Sequence, residues 1–126
     1  INCNRIGDVG LVSLSDTLKV NNSITSLDLS SNRFGDVCDC LSDALKVNHS
    51  ITNLNLNSNS ISDDGAVSLS EMLKVNHSII SMDLSDNRIG YAGADSFSDA
   101  LKMNRSIRTF NLMGNRGKLI PSLRRI

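Results

Sequence analysis

The chain has 126 residues, with 13 basic and 13 acidic side chains and no formal net charge. That length suits one domain, and the charge balance excludes broad electrostatic attraction to nucleic acid or to an anionic membrane. Hydrophobic residues reach 40% but aromatics only 3%, with no Trp, so a core must rest on many Leu, Ile and Val side chains.

The first residues, Ile1-Asn2-Cys3-Asn4-Arg5, place no basic region before an apolar stretch, so they do not read as a signal peptide. They lack an initiator Met and begin in mid-strand, which reads as a piece of a longer protein. No apolar run reaches the roughly 20 residues that span a bilayer. Cys3, Cys38 and Cys40 are odd in number and irregular in spacing. That is not a disulfide framework, and it suits a reducing, cytoplasmic setting. Cys38 and Cys40 stand two apart, on nearly opposite sides of a helix. This argues against a joint metal site, and Cys38 is expected in the core.

Four helices follow one another, each with an apolar stripe at three- and four-residue spacing. Leu11, Leu14 and Leu18 mark the first; Ala66, Leu69 and Leu73 the third; Ala94, Phe97 and Leu101 the fourth. Asp8, Asp36 and Asp63 are expected as N-caps, with Tyr91 in that place in the last unit. Gly10, Gly65 and Gly93 precede the helices, but no glycine stands between Val37 and Cys38, so the second helix should start differently. Each helix closes on a related segment, such as Asp16-Thr17-Leu18-Lys19-Val20-Asn21 or Asp99-Ala100-Leu101-Lys102-Met103-Asn104. Asn21, Asn48, Asn76 and Asn104 are expected to take the left-handed conformation that ends a helix.

Between the helices lie short strands with period-two alternation. These are Leu27-Asp28-Leu29-Ser30-Ser31-Asn32, Leu54-Asn55-Leu56-Asn57-Ser58-Asn59, Met82-Asp83-Leu84-Ser85-Asp86-Asn87 and Phe110-Asn111-Leu112-Met113-Gly114-Asn115. The first residues of successive strands are 27, 28 and 28 positions apart. Self-similarity at this period is the mark of a solenoid, because one unit cannot bury its own apolar side and stacked units can. The units run approximately 1–26 (partial), 27–53, 54–81, 82–109 and 110–126 (partial or cap), all in one domain.

The pattern Leu-x-Leu-x-x-Asn-x-Ile, the 28-residue period and the Leu-Lys-Val-Asn helix ending resemble the ribonuclease-inhibitor type of leucine-rich repeat. That type also occurs in NOD-like receptors and the Ran GTPase-activating protein. The resemblance implies an α/β fold, a right-handed horseshoe segment with parallel strands inside and helices outside. It says little about activity, since unrelated functions share such a fold.

The asparagine column Asn4, Asn32, Asn59, Asn87 and Asn115 is expected to hold backbone in the bend after each strand, repeat to repeat, rather than to touch a ligand. The strand positions facing away from the helices are the candidates for partner binding. They are Ser26, Asp28 and Ser30; Asn53, Asn55 and Asn57; Ser81, Asp83 and Ser85; and Asn111, with Thr109 and Met113 in the same grid. Strands about 4.8 Å apart make this a continuous surface. Arg33 and Arg88, with Arg5 and Arg116, add a basic line along the strand-to-helix rim, interrupted at Ser60.

Enzyme chemistry is not expected. Asp28 and Asp83 lie about 10 Å apart by strand spacing, but an open face lacks the burial that raises a catalytic pKa. No phosphate loop or nucleophile elbow is present, and no cofactor or metal is expected. His49 and His77 share a loop column that no Cys or carboxylate joins. The four Asn-x-Ser tripeptides at Asn21, Asn48, Asn76 and Asn104 are one helix ending copied by the repeat and are discounted as glycosylation sites. Asp16/Lys19, Asp43/Lys46, Glu71/Lys74 and Asp99/Lys102 read as exposed helix pairs. Residues 116–126, with Arg116, Lys118, Arg124, Arg125 and Pro121, read as a cap or a truncated repeat, and bare ends would favour self-association. The expected function is a protein-interaction module with an unidentified protein partner, without nucleic acid or membrane. The alternatives are a regulatory repeat region of a GTPase-activating or NOD-like sensor protein, or an actin-capping solenoid resembling tropomodulin.

Overall fold

Leu27, Leu54, Met82 and Phe110 open the four strand segments, and in the computed structural model they stand side by side as register partners in one parallel sheet. The structure describes residues 6–35 and 38–117. Over those residues the order is α1 (Gly7–Leu18), β1 (Ser26–Asp28), α2 (Cys38–Val47), β2 (Asn53–Asn55), α3 (Asp63–Val75), β3 (Ser81–Asp83), α4 (Tyr91–Met103) and β4 (Thr109–Asn111). The sheet order is β1-β2-β3-β4. Each helix packs on the next in sequence. Parallel neighbours need a crossover, and the helix of each unit supplies it. The product is the expected α/β solenoid, with strands on one face and helices on the other.

The core lies between the two layers. From the strands come Leu27, Leu29, Leu54, Leu56, Met82, Leu84, Phe110 and Leu112; from the helices come Leu11, Leu18, Leu41, Leu45, Leu69, Leu73, Phe97 and Leu101, all buried. Leu14 is only partly buried. With so few rings, packing depends on branched aliphatics, each contributing about 1.5–3 kcal/mol when fully buried. Phe34 is a buried ring in an earlier unit, and in the last unit Phe97 and Phe110 meet with ring centroids 5.0 Å apart at 60°, a geometry that aromatic pairs favour. Cys38 is buried, as expected, while Cys40 is half-buried.

The helix starts differ from expectation. α1 begins at Gly7, with Ile6 in the cap position and Asp8 in the first turn. α3 begins at Asp63 itself, with Ser62 in the cap position and no cap bond from its side chain. α4 begins at Tyr91 after Gly90. Asp36 and Val37 lie outside the described residues. The expected change at the start of the second helix falls on those residues, and Gly10, Gly65 and Gly93 lie inside α1, α3 and α4 rather than before them.

Asp63 does cap a helix, but the next one. Its Oδ1 accepts the N–H of Gly90 at 2.7 Å and of Gly93 at 2.9 Å, at the N-terminus of α4. The two glycines permit this approach: a Cβ on Gly93 would sit 2.7 Å from that oxygen and 2.8 Å from Ala66 Cβ. A carboxylate here both satisfies unpaired N–H groups and meets the positive end of the helix dipole.

The helix ends differ too. Asn76 and Asn104 are extended, with φ of −87° and −80°, not left-handed. The left-handed residues lie elsewhere, at Ser31, Ser58 and Asp86, one place before the column asparagines, and at Arg33 and Ser60, one place after. The strand-to-helix bend therefore carries the backbone strain, and the helix-to-strand bend is made by side-chain bonds.

Candidate functional site

Two asparagine ladders run along the solenoid and decide which side chains remain for a partner. In the first, Asn87 Oδ1 accepts the backbone N–H of Asn59 at 2.8 Å and of Ile61 at 3.0 Å, one unit back. Its Nδ2 donates to the carbonyls of Leu56, Leu84 and Ser85 at 3.0, 3.0 and 3.2 Å. Asn59 repeats this toward Asn32 and Leu29. Asn115 repeats it toward Ile89 and Leu84. Each amide joins two units and partners buried backbone groups of the bend. Asn32, Asn59 and Asn87 are buried. Asn4 lies outside the described residues.

The second ladder uses the helix-ending asparagines. Asn76 Oδ1 accepts the N–H of Ser78 at 2.9 Å and of Ile79 at 3.0 Å, while Nδ2 reaches back to the carbonyls of Leu45 and Asn48 at 2.8 and 3.2 Å. Asn48 and Asn104 make the same set. Both carbonyls reached belong to the C-terminal end of the preceding unit's helix, where acceptors lack intrahelical partners. The Nδ2 atoms of Asn48, Asn76 and Asn104 are thus committed to the fold, which removes them as sugar-attachment points in the folded protein. Sequence spacing showed these asparagines but not their partners, which are about 30 residues upstream.

A third set lies within each unit, on the strand face itself. Asp28 Oδ1 accepts the N–H of Ser30 at 3.0 Å and its hydroxyl at 2.6 Å. Asp83 does the same for Ser85, at 2.8 and 2.6 Å. Asn55 and Asn111 accept only the N–H, from Asn57 and Met113, at 3.0 and 2.9 Å. These are Asx-turns that close each strand. The Ser30 hydroxyl, and next its N–H, hold the Asp28 carboxyl below its ordinary pKa.

The twelve candidate binding residues therefore separate. Ser26, Asp28 and Asn53 are exposed; Asn55, Asn57, Ser81, Asp83 and Asn111 are half-buried. Ser30 and Ser85 are buried, contrary to the outward exposure that alternation predicts, because their hydroxyls fold back on Asp28 and Asp83. The first column of the grid, Ser26, Asn53 and Ser81, is joined by exposed Thr109, and these four side chains make no hydrogen bond among the described residues. Met113 projects from the end of the same face and is exposed. Arg33 and Arg88 are exposed on the rim, as is Arg116. The backbones of Arg88 and Arg116 are pinned by bonds to Ile61 and Ile89 of the preceding unit. Arg5, Cys3 and residues 118–126, with the whole question of cap against truncated repeat, lie outside the described residues.

The outer helices carry the expected pairs. Lys19–Asp16, Lys46–Asp43, Lys74–Glu71 and Lys102–Asp99 stand at 3.7, 3.8, 3.0 and 3.9 Å. His49 and His77 are exposed loop residues. No helix among the described residues is long and apolar enough to cross a membrane.

Known proteins share this architecture. The family model described as leucine-rich repeat matches residues 1–15, 20–37, 47–70 and 75–98, more than half the chain. No curated protein sequence matches it. Among solved structures, the actin-binding site 2 of leiomodin-1 is similar at a TM-score of 0.79 with 24% identity, covering 89% of this chain and 68% of that one. The C-terminal domain of tropomodulin from Caenorhabditis elegans is similar at 0.73 with 17% identity, covering 82% and 64%. At these identities the likeness establishes a common fold.

Proposed function

Because the chain belongs to the leucine-rich-repeat family, we propose that it is a non-enzymatic protein-interaction module that meets its partner with the strand face and the arginine rim beside it. One observation carries this reading. The column Ser26, Asn53, Ser81 and Thr109 sits in strict register across four parallel strands, on a backbone whose bends are held by the asparagine ladder. A rigid grid with uncommitted side chains at about 4.8 Å spacing loses little entropy when a partner is bound. Arg33 and Arg88 extend the grid with flexible cations that form bidentate bonds to carboxylates.

The test replaces Ser26, Asn53 and Ser81 together by Arg. These residues make no side-chain bond, so the fold survives, whereas changing Asp28 or Asp83 also breaks an Asx-turn. Partners recovered from cell extract should be lost by the triple variant. If the same set is recovered, this face is not where the partner binds.

A second reading has its own support. Leiomodin-1 and tropomodulin share the fold, and the leiomodin structure is an actin-binding site. In that reading the partner is actin, and the solenoid acts on filaments. It is favoured over a repeat region of a GTPase-activating or NOD-like sensor protein, the other expected alternatives. Co-sedimentation with purified actin filaments, and protection of their ends from depolymerisation, decide it. Neither effect at tens of micromolar leaves the general module alone.

A further inference from the structure

One pair of side chains in the helix-to-strand loops is used neither by the fold nor by the strand face. His49 and His77 stand two residues beyond α2 and α3, in successive units, and both are exposed. Neither imidazole has a hydrogen-bond partner among the described residues. The sequence puts them in one column, and the structure ties their backbones together. Behind them Asn76 Nδ2 donates to the carbonyl of Asn48 at 3.2 Å, and ahead of them the N–H of Ile80 donates to the carbonyl of Thr52 at 2.7 Å. The stretches 48–52 and 76–80 are therefore held side by side at both ends. Each histidine also occupies the same place in the same turn: Asn48 Oδ1 accepts the N–H of Ser50 at 3.0 Å, and Asn76 Oδ1 accepts that of Ser78 at 2.9 Å. Identical turns on neighbouring backbones send both side chains the same way.

The surroundings suit a cation. The separation of the two backbones here lies between the roughly 4.8 Å of paired strands and the roughly 8–10 Å of packed helices. Two imidazole nitrogens bound to one ion at about 2.0–2.1 Å stand about 3 Å apart, a gap that two parallel side chains close from such backbones. Both loops leave the C-terminal ends of helices, where the dipole is negative. The lysines of α2 and α3, Lys46 and Lys74, already face carboxylates, at 3.8 Å from Asp43 and 3.0 Å from Glu71. Arg105, next in the column, stands one unit farther along.

From this pairing we propose that His49 and His77 form a surface site for a divalent transition-metal ion, which bridges two units. The described residues hold no cluster of three or more ligating His, Cys, Asp or Glu side chains, so water completes the coordination shell. Two imidazoles select the borderline ions. Cu²⁺ should bind more tightly than Ni²⁺ or Zn²⁺, whereas Mg²⁺ and Ca²⁺, which take oxygen ligands, should not bind.

The site lies apart from the strand face, so its test is independent of the function proposed above. Titration calorimetry with NiCl₂ should show saturable binding of one ion per chain. His49→Asn and His77→Asn should each bind about 10-fold or more weakly, because the second imidazole acts at a high effective concentration. Arg105→His added to His49→Asn rebuilds the pair one unit along, and should restore the affinity. There Asn104 Nδ2 reaches the carbonyl of Asn76 at 2.9 Å, and the Arg108 N–H reaches that of Ile80 at 2.7 Å. Circular dichroism and the urea midpoint confirm that the variants fold, and light scattering should find the mass of the chain unchanged by the ion. Absent binding overturns the proposal, as does binding that survives either asparagine variant, which would come from thiols or chain ends. So do one ion per two chains, failure of Arg105→His to restore the affinity, and equal binding of MgCl₂.

Discussion

Asn87→Ala should be among the most destabilising single substitutions in this protein, and its cost follows from the bonds it breaks. The three carbonyls that Asn87 Nδ2 serves each keep a second donor. Leu56 O retains Asn59 Nδ2, Leu84 O retains Asn115 Nδ2, and Ser85 O retains the Ser58 N–H. The two N–H groups that donate to Oδ1 have no such reserve. Those of Asn59 and Ile61, both in fully buried residues, are left without an acceptor. A buried donor stranded in this way costs about 1–3 kcal/mol, so the pair puts the loss at about 2–6 kcal/mol. Urea unfolding measures it through the shift of midpoint at constant slope. Asn53→Ala, at an exposed position whose side chain makes no hydrogen bond, is the control and should stay within about 0.5 kcal/mol. A loss below about 1 kcal/mol at Asn87 would refute the reasoning, because it would mean that the bend satisfies its donors without the amide.

Three further outcomes are expected. Asp63→Ala removes the cap that one unit places on the next helix and should cost about 0.5–2 kcal/mol; hydrogen exchange should quicken at the Gly90 and Gly93 amides while those of α2 are unchanged. Ser58→Gly relieves a left-handed residue with φ of 58°. The strain relieved, about 1–2 kcal/mol, exceeds the added chain entropy of about 0.5–1 kcal/mol, so thermal unfolding should move upward. Asp28 has a folded pKa below its ordinary value, so the stability it contributes is present above that value and is lost as pH falls through the lowered one. Asp28→Asn keeps the Oδ1 acceptor, as Asn55 does, and the urea midpoints of wild type and variant should converge as pH is lowered from 5 toward 3.

The architecture was legible because a repeat states it four times. Leu27 and Leu54 are apolar at the same phase, and only a parallel stack buries both. The caps were misread because sequence reasoning assigns a side chain to its own element. Asp63 stands where an N-cap belongs, yet its bonds go to Gly90 and Gly93, 27 and 30 residues onward. The helix-ending asparagines invited the same error. Asn is tolerant of left-handed backbone, and that local preference suggested a local use, but Asn76 spends its amide on the carbonyls of the preceding unit. In a solenoid the nearest neighbour in space is one period away. Propensity arguments, which look a few residues either side, fail at the places where units are joined.

The same logic decides which positions are free to evolve a binding function. Asp28 and Asp83 looked like the informative residues of the strand face because they are charged and face outward. They are also turn-formers, and the neutral Asn55 and Asn111 do the backbone part of that work equally well. In all four units an Oδ1 at this column accepts the N–H two residues on, whether the residue is Asp or Asn. The first column has no such duty: Ser26, Asn53, Ser81 and Thr109 are limited only by their exposure and the strand they stand on. Enlarging them adds contact area without disturbing a bond, and enlarging Gly93 or replacing Asn87 does the reverse. In the proposed reading a partner would meet the first strand column and the rim arginines. The most repetitive residues are tied to the backbone that holds those surfaces in place.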